Sequence, residues 1–466
     1  MATIVGTRNI KVLTGTSSND SIYGNTAGAL STGIGSHKKI LGFGGNDKIF
    51  GDAMTLTLSA IGGNDYIYGD AGTGTAGKDY IYGDAFTFLR YARGGNDVIS
   101  GNEGWDALYG DAHVMRNYSR GGADIINGRN GYDVVVGDAA YMWNSSRGGA
   151  DRLFGDNGRD TLIGDATQMH DKASGGNDRL YGGWMDDDLR GDAFSMDGYS
   201  RGGNDTLDSG ASFEWIEKLH GDAVKMSGHA RGGADVLTAE KSGSAWCLGD
   251  AWTMTDQTRG GNDVIYSAMD DARSYGDAYV MSGSARGGDD RIYGGGGAFS
   301  SSLAGDAYRM SNHTVGGNDK IFGFGGNDKI AGDAFTGLDF AVGGNDMLFG
   351  DVGNDEIYGD FQAVVGDNVS GGNDTLNGGT SNDTLTGGGG ADVFVFAKGD
   401  GMDMITDFSH TQGDKIDLTA YGFKAFSDLV IGDNAAGNAQ IILAANATII
   451  LTSIKAAQLT ASDFYL

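Results

Sequence analysis

Proline is absent from this sequence of 466 residues, and cysteine occurs only once, as Cys247. A single cysteine permits no internal disulfide bond, so the sequence is not that of a disulfide-stabilised secreted scaffold. The lack of proline and of a strict three-residue glycine period excludes a collagen-like chain. No apolar run reaches the roughly eighteen residues of a membrane-spanning helix, so we expect no transmembrane segment.

Positive charge is also scarce. The sequence has 33 Lys and Arg against 62 Asp and Glu, a net charge of −29. This balance argues against binding to nucleic acid or to an anionic membrane surface. Disorder is a poor fit, because 39% of the residues are hydrophobic and 10% are aromatic. The N-terminus lacks the features of a signal peptide, which by itself would indicate a cytoplasmic protein.

Glycine is abundant, with 85 residues, and much of it lies in a repeat. Gly-Asp-Ala occurs twelve times, and from Asp84 to Asp192 its copies recur at one constant interval, the length of three nonapeptides. One repeat, residues 110–136, reads GDAHVMRNY, SRGGADIIN and GRNGYDVVV. The second and third nonapeptides fit x-x-x-G-x-D-x-U-x, where U is apolar, whereas the first has Met115 at the aspartate position. The early copies, at Asp52, Asp70 and Asp84, are more closely spaced, which suggests irregular turns or turns close to an ordinary roll.

This pattern predicts an all-β parallel solenoid. The apolar residue points inward from a short strand, glycine supplies the turn, and the aspartate offers a carboxylate suited to Ca²⁺. The lack of proline fits, because strand N–H groups are needed for pairing with the next coil. The pattern allows a coil of two nonapeptides or a coil of three. The longer coil is favoured because it places equivalent residues of successive repeats on top of each other.

The nonapeptides resemble those of RTX (repeats-in-toxin) hemolysin-type calcium-binding proteins. GGNDKIFGFGGNDKIAG (316–332) and GGNDTLNGGTSNDTLTGG (371–388) carry the resemblance most clearly. It implies a right-handed parallel β-roll or β-helix that binds multiple Ca²⁺ ions. The expected metal ligands are Asp20, Asp47, Asp65, Asp97, Asp106, Asp124, Asp133, Asp151, Asp160, Asp178, Asp205, Asp235, Asp263, Asp290, Asp319, Asp328, Asp346, Asp355, Asp374 and Asp383. Two irregular stretches place Glu214 and Ala272 at this position, where calcium is expected to be missing.

Two further sets of residues repeat with the same period. Eight repeats contain a methionine shortly after Gly-Asp-Ala, and the residue two positions before it is often aromatic; the pairs are His113/Met115, Ala140/Met142, Thr167/Met169, Phe194/Met196, Val224/Met226, Trp252/Met254, Tyr279/Met281 and Tyr308/Met310. We interpret both positions as a second core layer, the alternative being an exposed stripe for self-association. Arginine precedes Gly-Gly at Arg93, Arg120, Arg147, Arg201, Arg231, Arg259 and Arg286. These arginines are expected to pair with the Gly-Asp-Ala aspartates; a stripe that binds sugar or lipopolysaccharide is the alternative.

The sequence divides into an N-terminal cap (1–12), a repeat solenoid (13–386) and a C-terminal segment (387–466). The last segment, with DMITDFSHTQGDKIDLTAYGF (403–423), resembles the module that follows the repeats in RTX exoproteins such as serralysins. The resemblance implies an uncleaved signal for the type I secretion machinery and a β-rich cap on the solenoid. It therefore changes the expected location from the cytoplasm to the extracellular space, in association with the cell surface.

No catalytic domain is expected, since the repeats begin near residue 13 and no H-E-x-x-H motif occurs. Ser200 lies in a G-x-S-x-G sequence, and 72–77 matches a dinucleotide fingerprint, but both lack the required strand, loop and helix context. The leading hypothesis is a secreted calcium-binding structural protein that folds on Ca²⁺ outside the cell and self-assembles as an S-layer or extracellular matrix. The main alternative is an adhesin or glycan-binding protein, with cell-surface polysaccharide or lipopolysaccharide as its partner. A polysaccharide-modifying enzyme and a membrane-active protein rank lower.

Overall fold

The computed structural model describes residues 1–70, 76–211, 216–239, 242–297 and 299–466. The chain forms two compact units. The first comprises Met1–Ser242 with Asp250–Trp252, and the second comprises Gly243–Gly249 with Thr253–Leu466. Strands and turns make up most of both units, so the all-β prediction is confirmed.

Each turn of the chain contributes one strand to each of three parallel sheets, which we number by the nonapeptide that supplies the strand. Ala112–Met115 belongs to sheet 1, Ile125–Gly131 to sheet 2 and Val134–Val136 to sheet 3. Each strand pairs with its counterpart in the next turn, so that Met115 lies opposite Met142. About thirteen turns follow this plan with 27-residue spacing, which confirms the predicted solenoid and its longer coil.

The described residues of the first unit form eight complete strands of sheet 1 and nine strands in each of the other sheets. Sheet 1 comprises Thr26–Leu30, Ala53–Leu56, Ala85–Phe88, Ala112–Met115, Ala139–Met142, Ala166–Met169, Ala193–Met196 and Ala223–Met226. Sheet 2 comprises Val12–Thr14, Lys39–Leu41, Tyr66–Tyr68, Val98–Gly104, Ile125–Gly131, Arg152–Gly158, Arg179–Trp184, Thr206–Ala211 and Val236–Thr238. Sheet 3 comprises Ala2–Val5, Asp20–Tyr23, Lys48–Phe50, Tyr80–Tyr82, Ala107–Tyr109, Val134–Val136, Thr161–Ile163, Asp188–Arg190 and Ile216–His220.

The second unit repeats the same plan, and the strand Ala251–Met254 is divided between the two units. Its sheet 1 comprises Ala278–Met281, Ala307–Met310, Ala334–Leu338 and Phe361–Val365. Its sheet 2 comprises Val264–Tyr266, Arg291–Tyr293, Lys320–Phe322, Met347–Phe349, Thr375–Asn377, Val393–Val395, Lys415–Asp417 and Phe464–Tyr465. Its sheet 3 comprises Ser244–Leu248, Ala272–Tyr275, Ser302–Ala304, Lys329–Ala331, Glu356–Tyr358, Thr384–Thr386, Met402–Ile405, Ala447–Leu451, Ala439–Ala444 and Val430–Asp433. The 3₁₀ helices are Thr419–Tyr421, Phe426–Asp428, Ala456–Gln458 and Ala461–Asp463.

The core beneath sheets 2 and 3 takes one apolar residue from each strand of sheet 2 and often two consecutive residues from a strand of sheet 3, such as Val135 and Val136. Leu153 and Leu162 are both fully buried, and their counterparts in neighbouring turns are buried as well. Along sheet 3, the rings of Phe50 and Tyr82 stack with centroids 5.2 Å apart, and those of Tyr82 and Tyr109 with centroids 5.0 Å apart. These distances match the spacing of neighbouring strands, so equivalent residues stack directly on each other from turn to turn.

Sheet 1 departs from strict alternation. Ala112 and Met115 are fully buried, whereas the two residues between them are half-buried. The eight methionines are therefore core residues, as predicted. The prediction for the residues two positions earlier holds for Ala140, which is buried, but is wrong for Phe194 and Tyr308, which are 43% and 40% exposed. The strand register skips this position, so its side chain does not share the methionine's face.

The strand of sheet 1 sits in a lobe that closes on itself. The backbone N–H of Gly122 donates a hydrogen bond to the carboxylate of Asp111 at 3.0 Å. The segment 111–122 therefore begins and ends at one point, which we call the neck, and its interior holds Met115 and Ser119. The same bond recurs in turn after turn, so every complete turn consists of two nonapeptides plus a lobe.

Turn length changes near the C-terminus. Asp374 hydrogen bonds to Asp392, 18 residues later, where earlier partners are 27 to 32 residues apart. The last lobe strand is Phe361–Val365, so the turns beyond it lack the lobe and keep only two sheets. Ala447–Leu451 then pairs in parallel with Met402–Ile405 on one side and antiparallel with Ala439–Ala444 on the other. The chain thus contains coils of both lengths considered from the sequence, three nonapeptides in the regular turns and two near the C-terminus. The boundaries 1–12, 13–386 and 387–466 remain predictions.

The early Gly-Asp-Ala intervals mark an irregular turn, which is one of the two interpretations offered from the sequence, and not an ordinary roll. Ala53 pairs directly with Ala85, so residues 53–85 form one long three-strand turn. Asp70, which lies between them, does not occupy the lobe position. Its carboxylate instead accepts a hydrogen bond from Gly77 at 2.9 Å.

Candidate calcium sites

Aspartates line the turn between sheets 2 and 3, which we call the corner. The N–H of Asp133 donates to Oδ1 of Asp160 at 2.8 Å, and the N–H of Asp160 donates to Oδ1 of Asp187 at 2.8 Å. Repetition of this bond produces a column of buried carboxylates, the corner column. In the first unit it contains Asp20, Asp47, Asp79, Asp106, Asp133, Asp160, Asp187 and Glu217, and in the second Asp328, Asp355, Asp383 and Asp403.

A second column stands at the neck, before each strand of sheet 2. The N–H of Asp151 donates to Oδ1 of Asp178 at 2.7 Å, and that of Asp178 to Asp205 at 2.7 Å. The neck column contains Asp65, Asp97, Asp124, Asp151, Asp178, Asp205 and Asp235 in the first unit, and Asp263, Asp290, Asp319, Asp346, Asp374, Asp392 and Asp414 in the second.

The Gly-Asp-Ala aspartates form a third column, the lobe column, beside the neck column. Asp165 and Asp192 are fully buried, and each accepts an N–H bond from a glycine eleven residues later. Carboxyl groups of successive members lie within hydrogen-bonding reach of each other. Its members are Asp52, Asp84, Asp111, Asp138, Asp165, Asp192, Asp222 and Asp250 in the first unit, and Asp277, Asp306, Asp333 and Asp360 in the second.

The columns leave buried carboxylate oxygens without a hydrogen bond. In the corner column, Oδ2 of Asp160 has no partner, and in the neck column the same holds for Oδ2 of Asp178. Glycine keeps the space beside these oxygens open, since a Cβ on Gly164 would overlap both Oδ2 of Asp178 and the carbonyl oxygen of Gly191. Carboxylate and carbonyl oxygens are the ligands that Ca²⁺ takes, so the residues present fit this ion.

Burial without a cation raises the pKa of these carboxyl groups. It raises the pKa of Asp160 to about 7, although the hydrogen bond from Asp133 lowers it. At the neck, burial and then the charges of Asp165, Asp151 and Asp205 raise the pKa of Asp178 well above its usual range. Carboxylates this close cannot all stay ionised unless a cation lies among them.

All twenty aspartates predicted as metal ligands are buried in the corner or neck column. The corner holds Asp20, Asp47, Asp106, Asp133, Asp160, Asp328, Asp355 and Asp383. The neck holds Asp65, Asp97, Asp124, Asp151, Asp178, Asp205, Asp235, Asp263, Asp290, Asp319, Asp346 and Asp374. That they bind calcium remains a prediction.

Six members of these two columns were missed from the sequence, namely Asp79, Asp187, Glu217, Asp392, Asp403 and Asp414. Asp187, Glu217 and Asp414 lack the glycine that the motif places two residues earlier, whereas Asp79, Asp392 and Asp403 have it. Each, however, lies two residues before a fully buried apolar residue, as Asp187 lies before Leu189. The spacing from acidic residue to buried residue is therefore a more general signal than the glycines.

The corner column is interrupted in the second unit. Ala272 stands at the carboxylate position, as predicted, and the register aligns it with Ala245. Ser301 occupies the position in the following turn and donates its N–H to Asp328. For the other irregular stretch the prediction is wrong, because Glu217, rather than Glu214, accepts the N–H of Asp187 at 2.9 Å. Glu214 itself lies outside the described residues.

The expected pairing of arginines with the Gly-Asp-Ala aspartates is also wrong. The aspartates are inside the solenoid, whereas the arginines that precede Gly-Gly are exposed on the lobe. Arg93, Arg120 and Arg147 follow each other in strict register. In the part of the chain that the structure describes, none of these arginines forms an ion pair.

Ser200 is fully buried in the lobe, at the position of Ser119 and Ser146 in earlier turns. Residues 72–75 of the glycine-rich segment lie outside the described residues. No group of three or more His, Cys, Asp or Glu side chains suited to a metal occurs within the described ranges, so calcium at the columns would need backbone carbonyl ligands as well.

Comparison with known families gives an independent result. Nine segments match the description of the RTX calcium-binding nonapeptide repeat: residues 12–26, 91–112, 118–140, 146–167, 172–195, 284–298, 314–337, 340–363 and 369–402. The chain contains RTX calcium-binding repeats. No curated protein matches it significantly. Within the described ranges, no helix has the length and apolar character needed to cross a membrane. The RTX segments include the corner, the neck and most of the lobe of the regular turns.

Proposed function

We propose that this chain is a secreted calcium-binding structural protein, which folds on Ca²⁺ outside the cell and assembles with copies of itself. The buried carboxylate columns carry this proposal. Ionised carboxylates without a counterion are costly to bury, and a column of them repels itself. Bound Ca²⁺ would remove both costs and offset the net charge of −29. The extracellular space supplies calcium at concentrations that suit such modules.

Export fits the same chemistry. A chain that needs calcium to bury its aspartates would remain unfolded where calcium is scarce, which is the state in which a secretion channel can pass it. We assign the type I secretion signal, and a capping role, to 387–466. We also propose that the protein has no enzymatic activity and acts as a scaffold on or near the cell surface.

Exposed apolar side chains at the corner support self-assembly. In the first unit, Trp105 and Tyr132 are 59% and 47% exposed, with their rings tilted to each other and their centroids 5.2 Å apart, and Trp184 is 63% exposed. In the second unit, Phe324 and Val352 are 43% and 60% exposed. Such residues outside the core mark surfaces that bind other molecules, and a repeated surface can bind a second copy of itself.

Electron microscopy of the purified protein tests the proposal. We expect no ordered assemblies in chelator and sheets or filaments after Ca²⁺ is added to about 5 mM, above the affinities of typical extracellular modules. Mg²⁺ at the same concentration is the control, because its octahedral demands suit these sites poorly. Folded but separate particles in calcium would reject self-assembly while leaving calcium-dependent folding intact.

Two variants test the assembly surface. Trp105→Ser combined with Trp184→Ser should reduce assembly in calcium and leave the far-ultraviolet circular dichroism spectrum unchanged. Tyr91→Ser is the matched control, because Tyr91 is 64% exposed but lies on the lobe. Equal loss of assembly in all variants would show that the corner has no special part in it.

The exposed arginines favour a second candidate function, the binding of an anionic polysaccharide. Arg147 and Arg201 line a shallow groove with Lys172 and Tyr199, and this groove lies on a chain that is otherwise strongly acidic. Successive positions are one strand spacing apart, about 4.8 Å, so unpaired cations there repel each other. A polymer with one carboxylate or sulfate per sugar would relieve this repulsion and could stack its rings on the tyrosines.

Retention on immobilised alginate, with neutral dextran as reference, tests this second candidate. The variant Arg120→Gln, Arg147→Gln and Arg201→Gln should lose most of the retention, and added NaCl should weaken binding of the wild type. Arg152→Gln with Arg179→Gln is the control, since both are exposed on sheet 2. If the control loses as much retention, binding reflects only overall charge.

A further inference from the structure

The neck is chemically richer than the corner. In an RTX repeat, each nonapeptide supplies one aspartate, and the corner has at most one carboxylate per turn. At the neck, each turn supplies two, because the lobe begins with a Gly-Asp-Ala aspartate and the next nonapeptide follows directly after the lobe closes. Asp165 and Asp178 are the two carboxylates of one such turn, and they are 0% and 1% exposed.

The two neck carboxylates of a turn lie close enough for the charge of Asp165 to raise the pKa of Asp178, after the larger effect of burial. Oδ2 of Asp178 lies beside Gly164, the residue before Asp165, and also near the carbonyl oxygen of Gly191. Gly175, on the other side of the neck, would place a Cβ against both Asp165 and Asp192. Glycine at both positions therefore keeps the space between the two columns free of side-chain atoms.

Hydrogen bonding does not satisfy these carboxylates. One oxygen of Asp165 accepts the N–H of Gly176 at 2.8 Å, and one oxygen of Asp178 accepts the N–H of Asp151 at 2.7 Å. Oδ2 of Asp165, Asp178 and Asp192 accepts no bond from an amide or hydroxyl group, although all three are buried. The same holds in the second unit for Oδ2 of Asp306 and Asp319.

We propose that the Gly-Asp-Ala aspartates are calcium ligands, and that the neck is a second class of calcium site built from two carboxylates per turn. The lobe column lies outside the aspartate position of the nonapeptide, so the repeat alone does not assign it this role. A hard cation between the two columns would bind the unpartnered oxygens and separate like charges that lie within hydrogen-bonding reach. Ca²⁺ fits because it takes several carboxylate and carbonyl oxygens in flexible geometry.

Calcium counting on the full chain tests this inference, which rests on the calcium binding proposed above. Bound Ca²⁺ is measured by equilibrium dialysis and atomic emission for the wild type and for Asp165→Asn, Asp178→Asn and Asp160→Asn. Asp160 is the corner aspartate of the same turn. Asp171→Asn, an exposed aspartate at the tip of the same lobe, is the control.

We expect Asp165→Asn to lose at least one bound Ca²⁺ per chain, as Asp178→Asn and Asp160→Asn do, and Asp171→Asn to lose none. An unchanged count for Asp165→Asn, with a reduced count for Asp178→Asn, would overturn the inference. The lobe carboxyl groups would then share protons with each other instead of binding calcium. Absence of bound calcium in the wild type would instead overturn the proposed function itself.

A second variant separates loss of calcium binding from loss of folding. Asp84 is the second aspartate of the lobe column; one of its oxygens accepts the N–H of Gly95 at 2.8 Å, and the other is buried without a hydrogen-bond donor. Asp84→Asn therefore disturbs the column only near its end. We expect the circular dichroism spectrum in calcium to match that of the wild type while the count again falls by at least one, and an unchanged count in this folded variant would also overturn the inference.

Discussion

Individual aspartates of the corner couple the stability of the fold to pH. Burial raises the pKa of Asp133 to about 6, that of Asp160 to about 7 and that of Asp187 to about 9, from an ordinary value of 3.8. Between these ordinary and raised pKa values, the calcium-free folded chain therefore binds more protons than the unfolded chain. Its free energy of unfolding must fall as the pH rises through this window.

We expect protein dialysed free of calcium to be most resistant to urea near pH 4 and to lose resistance progressively toward pH 9. In calcium the trend should weaken or reverse, because the ion takes the place of the protons. Urea midpoints measured by circular dichroism across this range check the sign. A calcium-free protein that became more stable with rising pH would contradict the account of the columns.

Ala272 offers a test of a missing carboxylate. It is fully buried at the corner position, and its aligned neighbour in the preceding turn is Ala245. In calcium-free protein near pH 5, where protons on the columns still favour the fold, Ala272→Asp should destabilise the chain by about 1–3 kcal/mol, the cost of burying an unsatisfied polar group. Added calcium should recover part of this loss. Ala435→Asp, at an exposed turn, is the control and should change the urea midpoint little in either condition.

The same corner shows what the sequence could and could not predict about single residues. The aspartates of the motif are all in the columns, because glycine and the following apolar residue fix their register. Glu217 was missed because a longer acidic side chain reaches the same acceptor position from an irregular segment. That the Gly-Asp-Ala aspartates point into the solenoid could not be predicted, because their orientation depends on the hydrogen bond between Gly122 and Asp111 that closes the lobe.

At the scale of the turn, glycine is required by close approach between backbones. A Cβ on Gly149 would overlap the carbonyl oxygen of Gly122 in the preceding turn. Gly432 has no atom within 4 Å of the corresponding position. The difference lies in the neck, where successive turns stack glycine on glycine.

Gly149→Ala should therefore destabilise the protein in calcium by about 1–3 kcal/mol or more, the cost typical of overpacking. Gly432→Ala is the control and should be nearly neutral. Thermal melts followed by circular dichroism compare the two. Similar melting temperatures for both variants would mean that the neck can open to admit a methyl group.

At this scale, the length of the turn is the feature that was predicted best from the sequence. A strict period of three nonapeptides requires each strand to stack on its equivalent, and Met115 opposite Met142 confirms it. The burial pattern within sheet 1 was less predictable. Alternation would place His113 on the methionine's face, but the strand buries its first and fourth residues, because a four-residue strand that leads into a closing lobe bends away from regular pleating.

For the molecule as a whole, calcium and ordinary salt should act differently. The net charge of −29 should expand the calcium-free chain, and 1 M NaCl shortens the Debye length to about 3 Å. We expect NaCl to reduce the radius of gyration measured by X-ray scattering without restoring the β-sheet circular dichroism, since screening leaves the buried oxygens unsatisfied. Calcium at millimolar concentration should restore both. Recovery of the full β-sheet spectrum in NaCl alone would show that the columns need no specific cation.

The lack of cross-links gives the stacked turns a mechanical consequence. Each turn is held to its neighbours by parallel backbone bonds and by column bonds, and no disulfide joins distant turns, because Cys247 is the only cysteine. Pulling on the chain should peel it one turn at a time. With the 27-residue spacing of the turns, each step should release roughly 90 Å of extended chain. The force at each step would then report how firmly the cations hold that turn. The protein would therefore unfold in a series of separate steps whose forces depend on the calcium concentration.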